Sequence, residues 1–243
     1  MTTDHEPPAT KMRLILFDID GTLLHSNRIG RAALGRALHE TFGTAGAFDN
    51  ISFNGMTDRG LVRALMLAEG WPEADIETRL PHFYERMAAA GQELFTPEHI
   101  RACPGVLPLL AALARRNDVV PALLTGNIRD TVPLKLAAAG IDPAQFRVGA
   151  YGSDSVVRDD LFAIALSRAE AQLGLRFAPQ DVMIVGDTPG DIGCARAGGG
   201  QVIAVATGPY SADALRDCRP DHLFVDLTAT EAVLQALFDR SST

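Results

Sequence analysis

The 243-residue chain has few cysteines, almost no lysine and no excess of positive charge. Its three cysteines, Cys103, Cys194 and Cys218, lie far apart and form no C-x-x-C pair. This spacing argues against a disulfide framework or a cysteine zinc site, and it indicates free thiols in a reducing cytoplasm. Lysine occurs only at Lys11 and Lys135, and the other 20 of the 22 basic residues are arginines. Any role that requires a lysine must therefore fall on one of these two.

The formal net charge is −8, from 30 acidic and 22 basic residues. Nucleic acids and acidic membrane surfaces bind to basic faces, so neither is expected as a partner. No apolar run approaches the roughly 18 residues of a membrane span. The first eleven residues are polar and contain two prolines, which predicts a flexible tail rather than a signal peptide. Small anionic substrates stay open, because one local positive site is enough to bind them.

Short, continuous apolar runs along the chain predict buried strands. They are residues 13–17, 119–124, 146–151, 181–185 and 201–206, with a sixth candidate at the edge, 222–227. Helical patterns alternate with these runs, so we expect right-handed β-α-β units. The predicted fold class is α/β, with a doubly wound, Rossmann-like parallel sheet.

Residues 27–100 break this alternation, because they contain three helical stretches and no strand-like run. We interpret them as an α-helical cap subdomain inserted after the first strand. The predicted organisation is a flexible tail over 1–11, a core domain over 12–26 and 101–243, and a cap domain over 27–100.

Acidic residues follow two of the predicted strands directly. Asp18 and Asp20 end the first strand, and Asp187 and Asp191 follow the fourth, while a Thr-Gly-Asn run at 125–127 ends the second. In an open parallel sheet these carboxyl ends meet at one rim, where ligands bind. Each residue alone is an ordinary turn or cap residue. Several carboxylates in one crevice, however, repel each other unless a cation neutralises them.

The residue types at this rim indicate the kind of ligand. Ligand sets made only of oxygen atoms favour a hard metal such as Mg²⁺. Glycines at the same rim let backbone N–H groups approach an anion closely. The sequence therefore predicts a metal-assisted site for a phosphoryl group.

The string DIDGT after an apolar strand, followed in order by LLTGN and VGDTPGD, resembles the motifs of the haloacid dehalogenase-like (HAD) hydrolase superfamily. The layout is most similar to the phosphoglycolate-phosphatase-like branch, which has a helical cap after the first motif. The resemblance implies a Mg²⁺-dependent phosphatase that acts on a small phosphorylated metabolite through an aspartyl-phosphate intermediate. The substrate that it favours is 2-phosphoglycolate, followed by other sugar phosphates and nucleoside monophosphates.

The resemblance also implies roles for the acids. Asp18 would be the nucleophile, and Asp20 the general acid for the leaving oxygen and then the general base for water. The carboxylates of Asp18 and Asp187 and the backbone carbonyl of Asp20 would bind Mg²⁺. Asp191 would support the metal site through a water or a hydrogen bond.

The remaining motif residues are expected to hold the substrate. The Thr125 hydroxyl and the Gly126 N–H would bind the phosphoryl oxygens. Gly21, Thr22 and Asn127 are expected beside them.

The family also needs a lysine beside the phosphoryl group, and here the sequence departs from the commonest pattern. Arg158 stands where that lysine usually opens the helix after the third strand. Lys135 lies about 10 Å along the helix that follows Thr125, but helical side chains tilt back towards the N-terminus. We expect Lys135 to be the phosphate-binding cation, with Arg158 as the alternative. The plainer alternative is a surface Lys135 and an Arg158 that pairs with Asp159 or Asp160.

The cap segment NGMTDRG is similar to the substrate-specificity loop of helical caps. Asn54, Thr57, Asp58 and Arg59 are therefore candidates to contact the leaving group. An equally good interpretation of Thr57 or Asp58 is the N-cap of the helix that follows.

Other reactions of the superfamily provide the alternatives. Asp20 argues against a dehalogenase, and a cap without lysine excludes the Schiff-base cleavage of phosphonates. Asp187 is followed by Thr188 rather than by a second acid, which disfavours a sugar-phosphate mutase without excluding it. A non-catalytic binding protein would have lost the motif acids, and all of them are present. The sequence leaves the oligomeric state and the open or closed state of the cap undetermined.

Overall fold

The structure, a computed structural model, describes residues 12–48 and 55–239, so the predicted tail over 1–11 lies outside the described residues. The strands are β1 (Arg13–Phe17), β2 (Leu24–His25), β3 (Arg101–Ala102), β4 (Val119–Leu124), β5 (Gly149–Ala150), β6 (Val182–Gly186), β7 (Gln201–Val205) and β8 (His222–Phe224). The helices are α1 (Ile29–Phe42), α2 (Asp58–Ala68), α3 (Glu73–Leu94), α4 (Val106–Leu113), α5 (Val132–Ala138), α6 (Asp160–Leu173), α7 (Pro189–Gly198), α8 (Ala212–Asp217) and α9 (Thr230–Phe238). Within the described ranges, no helix is both long enough and apolar enough to cross a membrane.

Six strands form one parallel sheet in the order β5-β4-β1-β6-β7-β8. The chain adds β4 and β5 on one side of β1 and then crosses to add β6, β7 and β8 on the other side. This reversal of direction beside β1 is where open α/β sheets bind ligands. The predicted doubly wound α/β fold is confirmed.

Alternate residues of β1 face opposite sides of the sheet, and both sides are covered. Leu14 and Leu16 pack in an apolar cluster with residues of α6 and α7, whereas Ile15 and Phe17 pack with residues of α1, α4 and α5. All four side chains are fully buried. Burial on both faces explains why this strand is a continuous apolar run.

The predicted strand at 146–151 is shorter than expected, because only Gly149–Ala150 pairs with β4. Phe146 and Val148 are buried in the irregular segment before it. Core packing rather than strand pairing therefore accounts for the first half of this apolar run.

Helices α1, α2 and α3 occupy the chain between β2 and β3, and we call them the cap helices. β2 and β3 pair antiparallel, with His25 opposite Arg101. We call this pair the neck, because the chain leaves and re-enters the core through it. Two-residue strands give no pattern in the sequence, so the neck was not predicted. The exact domain boundaries at 26/27 and 100/101 remain predictions.

Candidate active site

A cavity of about 1060 Å³ opens where β1, β4 and β6 end, between the core sheet and the cap helices. The motif residues that line it are Asp18, Asp20, Gly21, Gly126, Asn127, Lys135, Arg158 and Asp187. The structure thus brings together residues from three separate motifs and both candidate cations.

Asp18 directly follows β1 and is only 6% exposed. The Nη2 of Arg158 donates to Asp18 Oδ1 at 3.1 Å and to Asp191 Oδ1 at 2.5 Å. The other oxygen of Asp191 accepts the Thr188 backbone N–H at 3.0 Å and the Thr188 hydroxyl at 2.7 Å, in a capping box that begins α7. Both oxygens of Asp191 are therefore engaged by the protein.

Asp187 follows β6, and its Oδ1 accepts the Thr22 hydroxyl at 2.9 Å. Thr22 does not line the cavity. Its hydroxyl orients Asp187 and is not placed to contact a substrate. Asp187 Oδ2 is buried and has no hydrogen-bond partner among the described residues. One oxygen each from Asp18, Asp187 and Asp191 lies within 4.8 Å of the others.

The pKa values of these acids show why a cation fits here. Burial, together with the charge of Asp191, raises the pKa of Asp18 to about 7, although Arg158 opposes this shift. Burial and the charges of Asp18 and Asp191 raise the pKa of Asp187 well above its usual range. A nucleophile must be ionised, and one guanidinium does not neutralise three buried carboxylates. The unpaired oxygen of Asp187 and the all-oxygen donor set suit a hard divalent cation such as Mg²⁺.

Asp20 is paired with the second cation. The Nζ of Lys135 donates to Asp20 Oδ2 and to Asn127 Oδ1, both at 2.6 Å. Burial alone would raise the pKa of Asp20, but the charge and hydrogen bond of Lys135 outweigh it and lower that pKa below its usual value. Asp20 is therefore held ionised, in the form that a general base needs.

The two cations do not compete for one position, because each contacts a different acid. Lys135 is 3% exposed and is thus buried rather than on the surface. Arg158 forms ion pairs with Asp18 and Asp191. Among the described residues, it forms none with its sequence neighbours Asp159 and Asp160.

The Thr-Gly-Asn loop after β4 lines the inner end of the cavity through Gly126 and Asn127. Thr125 is fully buried, and its hydroxyl accepts the Asn127 side-chain amide at 2.8 Å. The same Asn127 amide donates to Asp20 Oδ2 at 2.8 Å. A Cβ at Gly126 would overlap the backbone carbonyl oxygen of Met56, so only glycine lets the cap segment lie this close to the loop.

The start of α2 is hydrogen-bonded to the core. The Asp58 N–H donates to the Gly126 carbonyl at 2.7 Å, and the Ile128 N–H donates to Asp58 Oδ2 at 3.0 Å. The Arg59 N–H donates to the Gly152 carbonyl at 3.3 Å. We call these three bonds the cap latch. Asp58 also lines the cavity, and burial raises its pKa to about 6 although Lys135 opposes the shift.

The other residues of the predicted specificity loop have different contacts. The Thr57 hydroxyl accepts the Gly60 N–H at 3.0 Å as the N-cap of α2, and it donates to the Val156 carbonyl at 3.1 Å. Arg59 pairs with Glu77 at 2.6 Å. Neither Thr57 nor Arg59 lines the cavity. Asn54 lies outside the described residues.

Sequence reasoning missed several residues that line the cavity. Thr207 and Gly208 follow β7, and the Thr207 hydroxyl donates to the Gly21 carbonyl at 2.5 Å. A Thr-Gly pair directly after a predicted strand is the signal that could have found them. Two of the missed arginines, Arg28 and Arg101, flank the neck, and no spacing in the sequence marks them.

Comparisons with known proteins agree with this geometry. A family profile described as haloacid dehalogenase-like hydrolase matches residues 12–199. A phosphoglycolate phosphatase from Pseudomonas putida is 28% identical to the chain over 256 residues, which cover 97% of this chain and 89% of that protein. Pyrophosphatase PpaX from Oceanobacillus iheyensis is 26% identical over 219 residues, covering 89% of this chain and 94% of that protein.

The fold is also shared with a solved structure. The crystal structure of a hydrolase from Pseudomonas syringae matches with a TM-score of 0.70 and 22% identity, covering 94% of this chain and 100% of that chain. Because the family profile spans all three motifs and all of the cap helices, the chain belongs to the haloacid dehalogenase-like hydrolase family, in its phosphoglycolate-phosphatase-like branch.

Proposed function

We propose that this hydrolase is a Mg²⁺-dependent cytoplasmic phosphatase that cleaves a small phosphomonoester through an aspartyl-phosphate on Asp18. The observation that carries the proposal is the buried group of Asp18, Asp187 and Asp191, of which Asp18 and Asp187 line the same cavity as Asp20. The names of the relatives, a phosphoglycolate phosphatase and a pyrophosphatase, support cleavage of a bond between phosphorus and oxygen. The first substrate to test is 2-phosphoglycolate.

The proposed reaction has two steps. In the first, Asp20, which is ionised in the free site, takes up the proton of the bound phosphate monoanion. The Asp18 carboxylate then attacks phosphorus, the bond to the leaving oxygen breaks, and Asp20 gives that oxygen the proton. In the second, Asp20 removes a proton from water, whose oxygen attacks the same phosphorus. Inorganic phosphate leaves, and the Asp18 carboxylate is restored.

Other residues of the site prepare these steps. Asp18, Asp187 and the Asp20 carbonyl would hold Mg²⁺, with Asp191 supporting Arg158 and the metal site. When bound, the metal would supply the positive charge that keeps Asp18 ionised and polarises the phosphoryl group. Gly126 and Asn127 line the cavity on the side where the phosphoryl oxygens would lie. Arg158 would screen the charge of Asp18 from that of the incoming phosphate.

The test is phosphate release from 2-phosphoglycolate, pyrophosphate, a nucleoside monophosphate and p-nitrophenyl phosphate, with Mg²⁺ or with EDTA. We expect release with Mg²⁺ only, and a loss of about 10³-fold or more in Asp18→Asn, because the nucleophile is removed. Asp217→Asn makes the same chemical change at an exposed aspartate and serves as the control. A thermal unfolding midpoint that rises with Mg²⁺ would report binding independently of turnover.

Two results would contradict the proposal. If none of the four compounds releases phosphate in a metal-dependent way, a binding protein is favoured. Transfer of phosphate between two positions of a sugar phosphate without net release would favour a mutase.

A further inference from the structure

The outer part of the cavity is basic, in contrast to its acidic floor. Arg28, Arg31 and Arg101 line it, and we call these three residues the arginine wall. Arg28 precedes α1, Arg31 lies in the first turn of α1, and Arg101 begins β3. Three arginines from the cap helices and the neck therefore line the same cavity.

Two members of the arginine wall have no side-chain partner among the residues that the structure describes. Among the described residues, the side chains of Arg28 and Arg101 make no hydrogen bond, ion pair or ring contact. Arg31 differs, because its Nη2 donates to the Phe48 carbonyl at 2.5 Å and its guanidinium lies 4.6 Å from the centre of the Phe48 ring. In a chain with a net charge of −8, an arginine that lines a cavity and is paired with no described acid is suited to an external anion.

The backbone at Arg28 is unusual. Asn27 and Arg28 both have left-handed conformations, with φ values of 43° and 64°. Residues other than glycine seldom adopt this region, and two in succession are rarer still. Strained backbone of this kind concentrates at functional sites. From this conformation Arg28 lines the cavity and caps no amide of α1 with its side chain.

The arginine wall begins next to the acid that would serve the leaving group. A Cβ built on Gly30, which lies between Arg28 and Arg31, would be 3.2 Å from the Lys135 ammonium. That ammonium is 2.6 Å from Asp20 Oδ2. The first turn of α1 therefore lies on the leaving-group side of the site, so a substituent on the leaving group would extend towards the arginine wall.

We propose that the arginine wall binds a second anionic group on the leaving group. The preferred substrates would be phosphomonoesters that also carry a carboxylate or a second phosphate. This inference rests on the proposed function, because it requires the scissile phosphate to be bound at Asp18. The acidic floor would hold one end of such a substrate through a cation, and the arginines would hold the other end directly.

The test compares esters that differ only in the second charge. One pair is 2-phosphoglycolate and 2-hydroxyethyl phosphate, in which a neutral hydroxymethyl group replaces the carboxylate. The other is 1,3-propanediol bisphosphate and 3-hydroxypropyl phosphate. The measured quantity is the ratio of kcat/KM within each pair, which cancels any general loss of activity. The pair with the larger ratio identifies whether the second group is a carboxylate or a phosphate.

We expect a wild-type ratio of about ten or more in at least one pair, because a charge-assisted hydrogen bond contributes at least a factor of this size. The double variant Arg28→Gln/Arg101→Gln should bring the ratio close to one. Arg28→Lys and Arg101→Lys should recover part of it, because the charge remains while the planar fork is lost. Arg115→Gln makes the same change in charge at an exposed arginine outside the cavity and should leave the ratio unaltered.

The outcomes separate the two proposals. A wild-type ratio near one, or a ratio that the double variant leaves unchanged, overturns the arginine wall while metal-dependent hydrolysis upholds the phosphatase. A wild type that hydrolyses none of the four esters overturns both. Both substituted side chains are exposed, so the fold should persist. If thermal unfolding shows otherwise for the double variant, the two single variants decide, each with an expected fall of about three-fold.

Discussion

The two buried cations of the site, Arg158 and Lys135, contact different acids. The site can therefore be described as two halves, one around each cation. Arg158 contacts Asp18 and Asp191, which we call the nucleophile half. Lys135 contacts Asp20 and Asn127, which we call the proton-transfer half. A guanidinium is a planar group with five donors in a fixed arrangement, whereas an ammonium is a compact charge with three donors on a flexible stem.

This division changes the question that the sequence raised. The motif comparison assigns one basic residue to the phosphoryl group, so Lys135 and Arg158 were treated as alternatives. The structure contains both, and each offsets the charge of a different acid. The substitution of arginine for the usual lysine leaves the nucleophile half with a cation that spans Asp18 and Asp191 together.

The largest effect is expected from Arg158→Met, which keeps the apolar stem and removes the charge. The three buried carboxylates would then have no arginine beside them. No side chain would reduce the charge repulsion between Asp18 and the incoming phosphate. We expect kcat to fall by about 10³-fold, as when a charge-stabilising group is removed from a reaction centre. The measurement is phosphate release at saturating Mg²⁺.

Two further variants make this test specific to the nucleophile half. Arg158→Lys should recover part of the activity, because the positive charge remains while the planar guanidinium is lost. Arg168→Met removes a paired arginine that does not line the cavity and should change kcat by less than about three-fold. Full turnover in Arg158→Met would show that the protein does not need a cation in this half.

A smaller loss is expected from Lys135→Met, and its size should depend on the leaving group. Lys135 acts through Asp20, so its removal should disturb proton transfer more than the attack on phosphorus. We expect kcat to fall by about 10²-fold for an alkyl phosphate. The loss should be clearly smaller for p-nitrophenyl phosphate, whose phenolate leaves without a proton. Equal losses for both esters would contradict the assignment of Lys135 to the proton-transfer half.

The smallest effect is expected from Gly30→Ala, which perturbs Lys135 without touching its charge. The new Cβ would lie 3.2 Å from the Lys135 Nζ and would displace it slightly. Alanine also favours the helix by about 1 kcal/mol, so the variant should unfold at the same temperature or higher. We expect kcat for an alkyl phosphate to fall by roughly three- to ten-fold, as a small displacement of a catalytic group does.

Gly193→Ala is the matched control for this last change. Gly193 is an exposed helical glycine, and a Cβ there would meet no atom within 4 Å. The Gly193→Ala variant should be more stable than the wild type and should have the same kcat. If Gly30→Ala behaves in the same way, the contact between α1 and Lys135 has no role in the reaction.

The sheet and the acids of the site could be predicted from the sequence, because each depends on short-range pattern. A continuous apolar run marks a strand covered on both faces, and Asp18 and Asp187 follow such runs directly. Once the strands are parallel, their carboxyl ends must meet. No knowledge of the cap helices is needed for this step.

The position of Lys135 was harder to predict, because it depends on where a helix begins. The sequence suggested a helix from about residue 128, with Lys135 far along it. In the structure Arg129–Thr131 forms a 3₁₀ turn, and α5 begins at Val132. Lys135 is therefore in the first turn of α5, and its Nζ lies 2.6 Å from Asp20 Oδ2. The sequence shows no sharp signal for the change from a 3₁₀ turn to an α-helix.

The arginine wall could not be predicted, because its members meet only through tertiary structure. Arg28 and Arg101 are more than 70 residues apart in the sequence. They line the same cavity, and the pairing of β2 with β3 brings the chain around Arg101 beside the segment that leads to Arg28. The N-cap contact of Thr57 was one of the two interpretations that the sequence offered. The pairing of Arg59 with Glu77 could not be predicted, since a loop pattern does not say which way a side chain turns.

The cap latch has a consequence for how this enzyme can change over evolutionary time. Two of its three hydrogen bonds join backbone groups at both ends, from Asp58 to Gly126 and from Arg59 to Gly152. Substitution of a side chain leaves such bonds in place, as long as the two glycines are kept. The side chains of the cap can therefore vary, and new leaving groups can be accommodated, while the attachment between cap and core is inherited unchanged.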